Sequence, residues 1–313
     1  AVEARAAPGV GAHVLRAALA LLLGATTLVR PQSVLIAPFF GLVSARRGAG
    51  WRSASWTAAL VTVLALVTVA PWSLRNCLRM GNPPGRFTRE ACVLVSANGG
   101  WNLLIGAAPG ATGSFTPIEG PRVPPECREV FGEVEKDRCF GRAGARYIRE
   151  EPFRWLAMVP AKLSFTFDGC GAASYYLRTA NAGAFGERAA LALDVVETIW
   201  QRLVLLAALV GIGRAGASGC DGLRGVGAWL RVAALLVSLA ATFGRHGWLG
   251  YVGLVASAGL LGRGLPRHPP AALAAAAVGT TALAHAVFFG AGRYSMVTFA
   301  ILSALAGTAL RGP

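Results

Sequence analysis

"SASWTAALVTVLALVTVAPWSLRNC", residues 53–77, joins two kinds of chain in one stretch. Ser53 to Ala70 carries no charge and is dominated by Val, Leu and Ala, approaching the ~20 apolar residues that a bilayer-spanning helix needs. The apolar run ends at residue 70, and the chain continues with Pro71-Trp72. Ser73, Arg75 and Asn76 then open a polar, Gly/Pro/Asn-rich segment that reads as turns and short extended pieces to about residue 125. The chain therefore leaves a membrane near residue 71.

Composition agrees. Of 313 residues, 54% are hydrophobic and 14% charged, against roughly a quarter charged in a soluble domain. Mean hydropathy is +0.52. The formal charge of +15 does not point to nucleic acid, because its distribution follows the membrane pattern. Almost all of it is Arg, with lysine only at Lys136 and Lys162. Such an Arg-, Ala- and Gly-rich chain suits a GC-rich bacterial genome.

Apolar runs recur at 12–29, 32–45, 53–70, 190–212, 227–243, 247–262, 271–290 and 294–310. Arg30-Pro31 breaks the first into a helical hairpin. Arg46, Arg47, Arg52, Arg214, Arg224, Arg231, Arg263, Arg267 and Arg311 fall on one face of the alternating map, with Arg5 and Arg16. Arg30, Arg245 and Arg293 are what the opposite short connections hold. By the positive-inside rule, both ends are cytoplasmic and 71–189 is external. The expected fold is an all-α polytopic membrane protein with about eight transmembrane helices and one large external loop region. Its parts are 1–70, N-terminal membrane helices; 71–189, the external region; and 190–313, C-terminal membrane helices.

Within the external region, "ECREVFGEVEKDRCFGRAGARYIRE" (126–150) reads as an amphipathic helix with Val130, Val134 and Tyr147 toward one side. Glu151-Pro152 stops it. "FRWLAMVPAKLSFTF" (153–167) is short and holds Pro160, which fits an interfacial segment. If it crossed the membrane, every later helix would invert and the charge rule would fail. Cys77, Cys92, Cys127, Cys139 and Cys170 lie in or near this region, where disulfides can form. Bridges Cys77 to Cys92 and Cys127 to Cys139 are possible, inert thiols equally so, and an odd number leaves one over.

Several local patterns carry no chemistry. "GIGRAG" (211–216) satisfies a dinucleotide-binding spacing, yet it follows a membrane run and not a strand. There is no phosphate-loop lysine, no C-x-x-C pair and no zinc spacing, so neither a metal nor a cofactor is expected. His246 sits at an external helix junction and His285 within an apolar run, where a functional role competes with the commoner one of a hydrated histidine near a helix end, and no Ser/His/Asp arrangement stands out.

The ordered motifs do resemble a family. "PWSLRN" followed by "SANGGWNLLIGAAPGATG" (96–113) resembles the polytopic C-fold glycosyltransferases, including the family 39 enzymes related to protein O-mannosyltransferases and aminoarabinose transferases. "TTLVRPQSVLIAPFFGL" (26–42), "RAGARYIREEPFRWLAMVPAKLSF" (142–165) and "FFGAGRYSMVTFAILSAL" (288–305) are similar to further family segments in the right order. The resemblance implies transfer of a sugar from a polyprenyl-phosphate carrier to a glycan, lipid or protein acceptor at the outer face of a bacterial inner membrane. Membrane lipids are the other expected partner, and nucleic acid is excluded.

On that reading, Arg75, Asn76, Asn98, Asn102, Lys162, Arg293 and Tyr294 are the substrate-binding candidates, as donors to phosphate or sugar oxygens. Each has a plainer role: Arg75-Asn76 as an interfacial anchor and helix end, Asn98 and Asn102 as turn formers, Lys162 snorkelling, Tyr294 in an aromatic belt. Trp101 fits a sugar platform or the membrane surface. The family's general-base carboxylate follows its first membrane helix. Here residues 1–70 hold only Glu3, on the inner side, so the chain resembles the C-terminal part of such an enzyme and is expected to lack turnover alone. A scaffold that binds lipid-linked glycan or a partner subunit without catalysis is the alternative, and a transporter fits less well.

Overall fold

The computed structural model describes residues 10–45, 50–80, 85, 87, 92–217, 226–244, 246–260 and 268–310. Among these there is no β-strand, and the fold is all-helical. The charges at Arg5, Arg46, Arg47, Arg224, Arg245, Arg263, Arg267 and Arg311 lie outside the described residues, as do Glu3, Cys220 and the side chain of Arg231. The chain divides into two compact units, 1–159 with 287–289, and 160–286 with 290–313.

In the first unit, α1 (Val10–Val29), α2 (Ala37–Ser44) and α3 (Trp51–Arg79) pack together. Arg30 is extended and a 3-10 turn, Pro31–Ile36, leads into α2, so the break at Arg30-Pro31 stands as read. Small residues make the contact close: Ala20, Leu23, Ala37, Val61 and Ala65 form the buried core, and Gly41 lies against the backbone of Ala58. The outward side chains are apolar, Leu22 at 67% and Val67 at 59% exposure, as lipid contact requires.

Pro71 does not end α3. The helix runs through it to Arg79, a total of 29 residues, which corrects the end expected at residue 70. Proline removes one N–H from the ladder, and tertiary partners beyond it repay that loss. α4 (Gly99–Ala107) is a second correction, because its Gly-Gly start reads as a turn. Those glycines serve packing. Gly100 lies against the backbone of Asp137 and Gly141, and Gly144 against Leu103 and Leu104, so α4 and α5 (Glu133–Glu150) touch nearly backbone to backbone. The amphipathic helix thus starts at Glu133, behind a bridge-bound 3-10 turn, Pro125–Cys127. It ends at Glu150, and α6 (Pro152–Ala157) begins on the proline that stops it.

The second unit holds α7 (Val159–Phe167, whose first residue falls in the first unit), α8 (Ala172–Ala180), α9 (Glu187–Ala217), α10 (Val226–Phe243), α11 (Trp248–Gly259), α12 (Pro269–Val287, ending just outside it) and α13 (Met296–Leu310). α9 is its axis: α8, α10, α11 and α13 all pack on it. "GIGRAG" lies inside α9, with no strand before it and no loop to cradle a phosphate.

Four helices among the described residues are long and apolar enough to cross a membrane: α1, α3, α9 from Glu187 to Arg214, and α12. Pro31–Ser44, Val232–Phe243, Trp248–Gly259 and Met296–Ala309 are apolar but shorter. These eight helical segments overlap the eight apolar runs of the sequence, and four of them reach the length of a span.

Candidate functional site

The end of α3 explains the motif that opens the polar segment after the third apolar run. Trp72, Ser73, Asn76 and Cys77 are spaced to share one face of a helix. Against that face lies the segment 93–95, which bends at Leu94 and Val95. Trp72 Nε1 donates to Val95 O at 2.9 Å, Ser73 Oγ to Leu94 O at 2.6 Å, and Asn76 Nδ2 to Val95 O at 3.0 Å and Val93 O at 3.4 Å. The Cys77–Cys92 disulfide fastens the same strap. Asn76 is 1% exposed, and its carbonyl oxygen accepts from Arg75 at 3.0 Å. Its amide is therefore engaged on every side by the chain. Arg75 is exposed and lies 4.8 Å over the Trp72 ring.

Asn98 stands at the N-terminus of α4, exposed, its carbonyl oxygen accepting from Ser96 Oγ at 3.0 Å. Asn102, one turn later, is half-buried. Between them Trp101 meets the edge of Phe140 with centroids 5.1 Å apart, and its backbone N–H donates to Asp137 Oδ1 at 2.8 Å. That aromatic packs inside the unit. Arg154 closes the other end of α4, donating to Ala107 O at 2.7 Å and Ala108 O at 3.2 Å. A cation on the last carbonyls of a helix is favourably placed. A second disulfide, Cys127–Cys139, ties the 3-10 turn to α5. Cys170 stays free and buried.

The other three candidates come together in the second unit. Lys162 is fully buried on α7 and donates from Nζ to Ala286 O at 3.3 Å, near the end of α12. Its neighbour His285 stacks on Tyr294, centroids 4.1 Å apart. Arg293, in the turn Gly292–Tyr294, donates to Tyr176 Oη at 2.6 Å and to Tyr294 Oη at 3.2 Å. Among the described residues no carboxylate pairs with Arg293. Burial pulls its pKa down, but the two phenol oxygens outweigh that and leave it above the ordinary value. The result is a half-buried guanidinium, held in place by neutral groups. Gly292 permits this turn, since any Cβ there would collide with the backbone of Cys170.

Asp168 serves the frame of the same unit. One carboxylate oxygen accepts from Trp248 N at 2.6 Å at the start of α11, the other from Ser164 Oγ. That is a helix cap.

The sequence reading missed a polar face on α9. Asp194, Glu197, Thr198 and Gln201 recur at spacings of three and four within an otherwise apolar run, which puts them on one side. Asp194 accepts from Ser174 Oγ. Gln201 donates to Phe167 O at 3.0 Å and Tyr251 Oη at 2.9 Å. Burial pushes the Cys170 thiol up, the Ala172 N–H works against that, and the Glu197 and Asp194 carboxylates add to the rise. Among the described residues no three His, Cys, Asp or Glu side chains are grouped to hold a metal.

No known family, characterised protein or solved structure matches this chain.

Proposed function

We propose that the chain is the carrier-binding part of a polytopic membrane glycosyltransferase that uses a polyprenyl-phosphate-linked sugar at the outer face of a bacterial inner membrane. In this reading the eight apolar helical segments all span, both ends are cytoplasmic, and 71–189 is external. Arg293 carries the proposal. A half-buried guanidinium pinned by two phenols, with no described carboxylate opposite, keeps donors for a phosphate oxygen. Lys162 and His285 stand in the same cluster. The lipid tail of a carrier stays in the bilayer while its phosphate meets groups at a helix end. Arg293 lies between two apolar helices, at such an end. Pre-placed donors there stabilise charge that builds on a leaving phosphate.

The second reading, a non-catalytic scaffold for lipid-linked glycan, draws support from Asp168. Both its oxygens are occupied by the fold, so it is poorly disposed to act as a general base.

Binding of a polyprenyl phosphate to the full chain in neutral detergent tests the proposal. A charged-acceptor hydrogen bond is worth about 1.5–3 kcal/mol, so Arg293→Ala should weaken binding roughly ten- to a hundredfold. Arg293→Lys should fall between, because it keeps charge and loses the fork. Arg75→Lys should change binding less. Unchanged affinity in an Arg293→Ala protein that melts like the parent would overturn the proposal.

A further inference from the structure

α5 has a second face, which carries a row of arginines. Its buried side, with Val134, Phe140, Ala143 and Gly144, packs on α4. Arg138, Arg142, Arg146 and Arg149 recur at spacings of four, four and three, which confines them to an arc of about 80° on the far side of the helix. They run along about 16 Å of its length at 1.5 Å per residue. Arg142, Arg146 and Arg149 line a shallow depression of ≈ 360 Å³ together with Glu126, Cys139 and Ala143.

Local carboxylates neutralise this face only in part. Arg146 pairs with Glu126 at 2.7 Å and reaches Glu150 at 3.7 Å. Arg149 donates to Ala145 O at 3.3 Å. Among the described residues no carboxylate pairs with Arg142 or Arg149. Glu135 falls within the same arc, one turn before Arg138, so the C-terminal part with Arg142 and Arg149 is where the positive charge is least compensated. The helix is bracketed by two bare aromatics, Phe131 at 80% and Phe153 at 84% exposure, and Leu156 on α6 is also exposed.

We infer that the arginine face of α5, with Phe131 and Phe153 at its ends, is a docking surface for an anionic bilayer. The charge selects negative headgroups. The flanking aromatics select a partner that offers hydrocarbon next to those headgroups, which a soluble phosphate or a polyanion does not. A cationic helix face with apolar anchors is the general chemistry of segments that lie on membranes. The same unit contains α1 and α3, both long and apolar enough to cross a bilayer, so such a surface is part of its surroundings. This inference does not depend on the proposed transferase function.

Chemical labelling of arginine tests it residue by residue. The full chain is placed in nanodiscs of phosphatidylcholine, or of phosphatidylcholine mixed with phosphatidylglycerol, and treated with phenylglyoxal. Mass spectrometry reads modification at Arg142 and Arg149, with exposed Arg188 as the internal reference. The expected result is several-fold slower labelling of Arg142 and Arg149 in the anionic discs, relieved by high salt. In Arg142→Gln/Arg149→Gln, native mass spectrometry should show fewer retained phosphatidylglycerol molecules, with an affinity loss of about fivefold per arginine. Equal labelling in both discs would overturn the inference. So would equal slowing by inorganic phosphate in neutral discs, which would assign the face to a soluble anion.

Discussion

Asn76 shows how one side chain decides between a ligand site and a structural joint. Its position after an apolar run permits either, and nothing local separates them. The answer comes from 17 and 19 residues away, at Val93 and Val95, whose carbonyls take both amide hydrogens. Removing the amide takes that donor from the half-buried Val93 carbonyl and leaves Val95 O with Trp72 Nε1 alone. Asn76→Ala should therefore destabilise the folded chain by about 1–3 kcal/mol, seen as a lower melting temperature in detergent. Arg75→Ala beside it, exposed, should stay within about 0.5 kcal/mol. Equal melting of the two variants would contradict the joint. Lys162 makes the same point. Lysine near a membrane surface suggests snorkelling, yet it is buried, because the end of α12 supplies a carbonyl for it.

At the level of the element, the fold was legible wherever periodicity and punctuation agree. The Arg30-Pro31 break, the long apolar runs and the stop at Glu151-Pro152 all follow from local rules. The extension of α3 past Pro71 and the existence of α4 were not legible. Both depend on partners distant in sequence: the 93–95 strap for one, and α5 for the other. Of the candidate site, the grouping of Lys162, Arg293 and Tyr294 is a product of folding, and their residue types alone are all that a sequence displays. The polar face of α9 was legible and overlooked, since its spacing is helical. The Cys127–Cys139 bridge belongs at this scale too, because it spans a separation of 12 residues and holds the start of α5. Loop-closure entropy for a ring of that size is worth about 3 kcal/mol. Cys127→Ser/Cys139→Ser should lower the melting temperature and speed proteolysis between Gly110 and Gly132. An unchanged cleavage pattern would show that packing on α4 alone holds the segment.

The whole molecule poses the question of which side each loop occupies. Among the described residues four helices meet the length and hydropathy of a span, and four shorter apolar segments share their chemistry. Eight crossings put residue 114 outside and residue 218 inside, with one crossing between them; an even number between them would leave both on one side. With Cys170 and Cys220 replaced by alanine and the bridges intact, Ser114→Cys should react with an impermeant thiol reagent on intact cells. Ser218→Cys should react only after permeabilisation. The opposite pattern would invert the orientation, and labelling of both would remove a crossing.

The two bridges also say something about the order in which the protein is made. All four bonded cysteines precede residue 140, and each pair is separated by 15 residues or fewer. Each ring can close as soon as its own stretch reaches an oxidising compartment, while α9 to α13 are still untranslated. The strap on α3 and the start of α5 would then be fixed on a nascent chain that has yet to receive the five apolar helices α9 to α13. Translation in a reducing lysate would deliver the same helices in the same order without either lock.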